Sequence, residues 1–174
     1  FDRAKVYRIK HPKRNINICG FPFIRKNLHN EFARVTKFFH AKISRNDFNI
    51  ISMHQTIEGA QVGQVNYTFR KGENILSKSM MPDLFDLIIC GHIHRHQVLP
   101  FKTQKNNHAG EVIFPGSTER TSFAEKNEIK GFLHVKVDLS LQNSSSEIEF
   151  CSLSTRPMVD IRISSARSLD ELKQ

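Results

Sequence analysis

Three histidines follow apolar segments whose length and composition are typical of buried strands. Residues 87–90 form a short, bounded apolar run, and His92 and His94 stand just beyond it. A second run of this kind, residues 48–53, is followed directly by His54. Ligands of open α/β sheets bind beyond the carboxyl ends of the strands, so these side chains are expected to converge. Imidazoles brought together in this way suit zinc, manganese or iron.

Gly91 precedes the first of the paired histidines. Successive residues of a strand point to opposite faces, so we expect a turn beginning at Gly91 to bring His92 and His94 to one place. The alternative is that these histidines are polar residues at the rim of a sheet with ordinary backbone partners. For an isolated His-x-His sequence that alternative would be the commoner case. A third histidine at the end of a second predicted strand favours the metal site.

Three segments, in this order along the chain, resemble the calcineurin-like metallophosphoesterases and, among them, the SbcD-type DNA repair exonucleases. The segments are Met53-His54-Gln55, Gly91-His92-Ile93-His94-Arg95-His96-Gln97 and Phe114-Pro115-Gly116-Ser117-Thr118-Glu119-Arg120. The resemblance extends over most of the chain, from about Val6 to Arg156. It implies an α/β fold that forms part of an αββα sandwich, with mixed sheets flanked by helices.

Motifs from the first half of such a nuclease domain do not occur in this sequence. The family's Asp-x-His, Gly-Asp and Gly-Asn-His motifs supply carboxylate and amide ligands and the catalytic histidine. The Asn107-His108 pair follows the histidine strand instead of preceding it, and we interpret it as part of a polar loop. We therefore expect residues 1–155 to be the carboxyl-terminal half of a nuclease domain and residues 156–174 to begin a DNA-binding cap.

The resemblance also implies roles for individual residues. His54 and His92 correspond to ligands of one metal ion and His94 to a ligand of the second, with manganese as the expected metal. The catalytic residue is unknown, because its motif is absent. Residues beside the cleft are weaker candidates for binding substrate, and a structural role is the more frequent one for such positions: Arg95, His96, Ser117 and Arg120.

Phosphodiester hydrolysis explains why two metal ions would be needed. Two adjacent divalent ions make a nucleophile from water at neutral pH and neutralise the charge that grows on the phosphate. Three neutral imidazoles cannot complete both coordination shells, so acidic ligands must come from elsewhere. Asp86 is a poor candidate, because it begins the strand that ends before His92, and six strand residues separate the two by roughly 20 Å.

Periodicity predicts the elements that position these residues. Residues 5–9 and 15–21 form two strands joined by a turn at Pro12, and residues 27–42 form an amphipathic helix. Strand, helix and strand from residue 16 to residue 53 predict a right-handed crossover with parallel pairing. Further strands are predicted at 98–101, 111–114, 131–138 and 146–152, surface loops at 102–110 and 142–146, and a short helix from Ser168 to Lys173.

Positive charge is concentrated near the amino terminus. Residues 1–45 contain twelve Lys or Arg and two acidic residues, a net charge of +10, whereas the remainder contains fourteen and fifteen, a net charge of −1. Such a surface attracts phosphate backbones in a salt-dependent manner, although basic residues also simply solvate surfaces. A non-catalytic module that binds nucleic acid or protein is therefore the alternative function. A phosphoesterase acting on nucleotides or phosphoproteins is a third.

Composition indicates a soluble protein of the cytoplasm, associated with the nucleoid if bacterial. We expect no membrane association, because no apolar run is long enough to span a bilayer. Cys19, Cys90 and Cys151 are odd in number and are expected to be free thiols. The expected partners are DNA and, by resemblance, an SbcC-like coiled-coil ATPase, and a second copy of this chain is a further candidate. An incomplete sandwich should also leave apolar strand surface open to association.

Overall fold

A six-stranded mixed sheet forms the centre of the molecule in the computed structural model, which describes residues 3–102, 109–140 and 145–161. The first elements are β1 (Lys5–Ile9), β2 (Ile16–Gly20), α1 (Leu28–Lys42) and β3 (Phe48–His54). They are followed by β4 (Gln61–Val62), β5 (Tyr67–Thr68), β6 (Leu87–Gly91), β7 (Gln97–Lys102) and β8 (Ala109–Phe114). The last two are β9 (Gly131–Asp138) and β10 (Ser145–Ser152).

The central sheet has the strand order β1-β2-β3-β6-β8-β7. β2, β3, β6 and β8 are parallel to one another, whereas β1 and β7 are antiparallel edge strands. Parallel pairing confirms the predicted strand-helix-strand crossover and the α/β class. Pro100 lies in edge strand β7, where the missing N–H of a proline is tolerated.

Helix α1 covers one face of the sheet. Leu28, Phe32, Val35 and Phe39 are almost fully buried, which confirms the predicted apolar stripe. They belong to the same core cluster as Ile51 and other inward side chains of the strands. No helix among the described residues is long and apolar enough to cross a membrane.

The opposite face of the sheet is only partly covered. Tyr7 of β1 pairs with Ile18 of β2, so both project from the same face, and they are 62% and 36% exposed. Ile9, two residues after Tyr7, and Val98 of β7 are also exposed. His54 lies on this side of the sheet, because it follows Ile50 and Ser52 at two-residue steps along β3.

Strands β9 and β10 form a separate antiparallel hairpin, and β4 and β5 form a very short one. Strands β9 and β10 agree with the predicted ranges to within one residue, and His134 of β9 is exposed. The predicted loop at 102–110 is too long, because Lys102 belongs to β7 and residues 109 and 110 belong to β8. Residues 103–108, which include Asn107-His108, and the predicted helix at Ser168–Lys173 lie outside the described residues.

Candidate functional site

The carboxyl ends of β3 and β6 bring two predicted ligands together. These neighbouring parallel strands pair in a register that places His54 directly opposite Gly91. The ring of His54 and the ring of His92, one residue further on, lie edge to face with centroids 5.1 Å apart. Both histidines are exposed. The site therefore opens to solvent at the edge where the sequence predicts it.

Gly91 is needed for space and not for a turn, which corrects the sequence interpretation. It is the last residue of β6, and a Cβ atom built there would lie 2.8 Å from Nδ1 of His54. The backbone leaves the strand at His92 itself, which has a φ of 82°. A residue other than glycine adopts this left-handed conformation only at a cost, and such costs are concentrated at functional sites.

Phe23 completes an aromatic cluster with the two rings. It follows β2, the next parallel strand, and stacks on His92 with a centroid distance of 5.4 Å and an interplanar angle of 21°. Its ring also meets His54 edge on, at 5.9 Å. The sequence analysis did not identify Phe23, although its position after a third parallel strand was a usable signal.

The pKa of His92 is lowered from its ordinary value. Partial desolvation of the ring is the main cause, although the residue as a whole is exposed, and the nearby charges of His54 and His94 act in the same direction. A lowered pKa keeps the imidazole neutral, which is the form that binds metal ions.

His94 is held by a different set of contacts. Its Nδ1 lies 3.1 Å from Oε1 of Glu125 and 3.2 Å from Oγ1 of Thr121. Glu125 in turn forms an ion pair with Lys130, which is 1% exposed. Sequence reasoning missed Glu125 and Lys130, because neither stands in a periodic pattern with the histidines.

Burial and hydrogen bonding act on Glu125 in opposite directions. Burial alone would raise the pKa of its carboxyl, but hydrogen bonds from Lys130, Thr121 and His94 outweigh it and lower the pKa to about 2. The carboxylate is therefore ionised at neutral pH and acts only as an acceptor.

Residues predicted more weakly to bind substrate all have structural partners. Arg95 pairs with Glu128 at 3.0 Å and donates to the Asn66 side chain and the Gly63 carbonyl. Nδ1 of His96 lies 2.9 Å from the Phe114 carbonyl, and its ring stacks on Phe150 at 4.1 Å.

The loop after β8 is tied together in the same way. Ser117 Oγ donates to the Glu119 carbonyl at 2.7 Å. Arg120 donates to the carbonyls of Glu128 and Arg156 and to the hydroxyl of Thr155. These bonds engage the Ser117 hydroxyl and both terminal nitrogens of Arg120 without a substrate, whereas Nε of Arg120 is buried without a hydrogen-bond partner.

The metal-ligating potential of the site is partial. Across residues 3–102, 109–140 and 145–161, no three His, Cys, Asp or Glu side chains are grouped so that they could hold a metal ion. His54 and His92 supply two adjacent imidazoles, which suit manganese, zinc or iron as part of a larger donor set. Asp86 lies at the other end of β6, where its Oδ2 accepts a hydrogen bond from the Asn49 amide at 2.7 Å.

Comparison with known proteins gives a distant relative in DNA repair. The chain is similar to the double-strand break repair protein mus-23 of Neurospora crassa, with 26% identity over 125 residues. The match covers 71% of this chain but spans only 15% of the length of that relative. The chain matches no family model.

Proposed function

We propose that this chain carries part of the active site of a metal-dependent phosphodiesterase that acts on DNA in double-strand break repair. The observation that carries the proposal is the pairing of His54 and His92 at the carboxyl edge of two parallel strands. The similarity to a double-strand break repair protein supports DNA as the substrate. The ordered motifs at residues 53–55, 91–97 and 114–120 support the phosphoesterase chemistry.

Two divalent ions, most simply Mn²⁺, would be the cofactors. When bound, such ions generate a nucleophile from water and offset the charge on the scissile phosphate. His54 and His92 would hold one ion and His94 the other, together with acidic donors that are not grouped with them among the described residues. The neutral state of His92 matches this task, because its lowered pKa keeps a lone pair available.

The isolated chain is expected to be inactive, because it carries only part of the metal site. The first experiment therefore compares metal-dependent cleavage of linear duplex DNA by the intact protein that contains this chain and by two variants of one residue. His92→Ala and His92→Gly both remove the imidazole, and cleavage should fall by at least about 100-fold in each, as loss of an inner ligand would cause. His92→Gly should be more stable than His92→Ala by about 1 kcal/mol, since glycine adopts a positive φ without strain.

Both variants lose the imidazole, but only His92→Ala also carries the backbone strain. A loss of cleavage that is equal in both is therefore due to the missing ligand and not to unfolding. Cleavage by His92→Gly at the wild-type rate would reject the assignment. An exonuclease and an endonuclease are distinguished by the same assay on linear and circular DNA. The SbcC-like ATPase and a second copy of the chain remain proposed partners, to be sought by co-purification with the protein.

A nucleic-acid-binding module without catalysis is the second candidate. Exposed cations on β1 and in the following turn favour it, among them Lys5, Lys10 and Lys13. If DNA binding survives alanine at His54, His92 and His94 and no metal-dependent cleavage is found, the module is the better description. Binding through these cations should weaken steeply with salt.

A further inference from the structure

Lys130 is the most deeply buried charged side chain among the described residues, at 1% exposure. Its ammonium has three protons, and each has an acceptor. Nζ donates to Oε2 of Glu125 at 2.6 Å, to Oε2 of Glu128 at 3.0 Å and to the carbonyl oxygen of His94 at 3.0 Å. A buried cation is tolerated only when it is paired and hydrogen-bonded in this way.

The second oxygen of Glu125 faces the ring of His94. Oε1 lies 3.1 Å from Nδ1 of His94 and also accepts a hydrogen bond from Oγ1 of Thr121 at 2.8 Å. The carboxylate is ionised opposite the Lys130 ammonium, so it can only accept. Nδ1 of His94 must therefore carry a hydrogen, and in the neutral form of the ring the lone pair is then on Nε2.

One cation thus holds both the backbone and the ring of His94. Lys130 binds the His94 carbonyl directly, and through Glu125 it restrains the imidazole. Gly116 packs against the same turn, because a Cβ there would lie 2.9 Å from the His94 carbonyl oxygen. Ser117 N–H donates to that oxygen at 3.1 Å as well. The backbone carbonyl and the imidazole of His94 are therefore each held by more than one contact.

We propose that Glu125, anchored by Lys130, is a positioning residue that holds His94 as the Nδ1–H tautomer and leaves Nε2 as the atom that binds a divalent cation. The assignment of a cation to His94 depends on the function proposed above. The tautomer does not, because it follows from the hydrogen bonds alone. A carboxylate on the distal nitrogen of a ligating histidine fixes the tautomer and orients the ring.

Glu128 provides a matched control within the same network. It binds Lys130 as Glu125 does, but its other oxygen accepts a hydrogen bond from Nε of Arg95 at 3.0 Å in place of one from His94. Glu125→Gln and Glu128→Gln each remove one negative charge beside the same buried ammonium. Their effects on the network as a whole should be similar, and their effects on His94 should differ.

The decisive measurement is the histidine tautomer, read by nitrogen-15 NMR of the histidine-labelled protein without metal or DNA at mildly alkaline pH. We expect the Nδ1–H form of His94 in the wild type and in Glu128→Gln. In Glu125→Gln the amide oxygen should turn to Lys130 and the NH₂ group to His94, which inverts the tautomer to Nε2–H. An Nε2–H tautomer in the wild type overturns the proposal, with no variant needed.

Binding of Mn²⁺, followed by electron paramagnetic resonance, gives the second measurement. Loss of such a partner typically weakens metal binding about 10- to 100-fold, so we expect this for Glu125→Gln and no change for Glu128→Gln. Equal weakening in both variants would overturn a specific role for Glu125. If the tautomers behave as expected but Mn²⁺ does not bind even the wild-type intact protein that contains this chain, the proposed function fails and the positioning of His94 stands.

Discussion

At the residue scale, the absence of a side chain at one position makes room for the site. Gly91 faces His54 across the β3–β6 pair, and a Cβ there would lie 2.8 Å from the imidazole Nδ1. The nearby Gly20 of β2 has only ordinary contacts, since its Cβ would lie 3.5 Å from the Ser52 carbonyl. The two glycines therefore differ in what they allow, although both end a parallel strand.

Gly91→Ala should displace the His54 ring and destabilise the protein by about 1–3 kcal/mol, as overpacking does. Urea unfolding measures the loss of stability, and Mn²⁺ binding should weaken with it. Gly20→Ala is the matched control and should change both quantities little. Equal behaviour of the two variants would show that the space beside Gly91 is not limiting.

Glu125 is predicted to make stability depend on acid pH. Its pKa lies at about 2, against about 4.5 for an unperturbed glutamate, so the unfolded chain binds more protons between these values. The contribution is fully present above about pH 4.5 and is lost as the pH falls toward 2. The free energy of unfolding, measured with denaturant at a series of pH values, should therefore decrease between pH 4.5 and pH 2.

Glu125→Gln should lower the free energy of unfolding at neutral pH and make it depend less on pH between 4.5 and 2. The control is Glu147→Gln, whose side chain is 74% exposed and which should leave the profile near that of the wild type. A wild-type profile that does not change between pH 4.5 and pH 2 would contradict the predicted role of Glu125.

At the scale of elements, helix α1 holds the sheet in place through its buried phenylalanines. Phe39 is fully buried and contacts Phe85 edge on, at 6.0 Å, whereas its neighbour Phe38 is 37% exposed. Helical periodicity predicts this difference, since Phe39 continues the stripe from Leu28 and Phe32. Phe38 and Phe39 are adjacent and of one type, so substituting each in turn tests which face of the helix is buried.

Phe39→Ala should lower the free energy of unfolding by about 3–5 kcal/mol, because it removes a buried ring and leaves a cavity. Phe38→Ala should cost much less. Chemical denaturation of the two variants gives both values under identical conditions. Similar losses in both would mean that the helix does not pack on the sheet by the face described.

At the scale of the whole molecule, the face of the sheet opposite α1 is incompletely covered. Tyr7, Ile9, Ile18 and Val98 are exposed there, and the edge strands β1 and β7 border it. Apolar sheet surface beside open edges favours pairing with another chain. His54 lies on this same side, so whatever covers the face would also border the candidate site.

We therefore expect the isolated chain to associate. Size-exclusion chromatography with light scattering should give species larger than a monomer, and Tyr7→Lys combined with Ile18→Lys should shift them toward the monomer. Val65→Lys, at an apolar side chain that is 88% exposed outside the central sheet, is the control and should have no effect. A monodisperse monomer of the wild-type chain at high concentration would contradict this expectation.

The sequence by itself determined the α/β class, the parallel crossover from β2 to β3 and the edge of the sheet at which His54 and His92 meet. These follow from local periodicity and from crossover handedness, which act over short stretches of chain. Only the tertiary structure decided how the site is supported. Lys130 and Glu125 lie more than thirty residues from His94, and ion pairs of that range leave no periodic signal. The tertiary structure also decided that the backbone turns left-handed at His92 and that Gly91 is needed because the His54 ring occupies the space beside it.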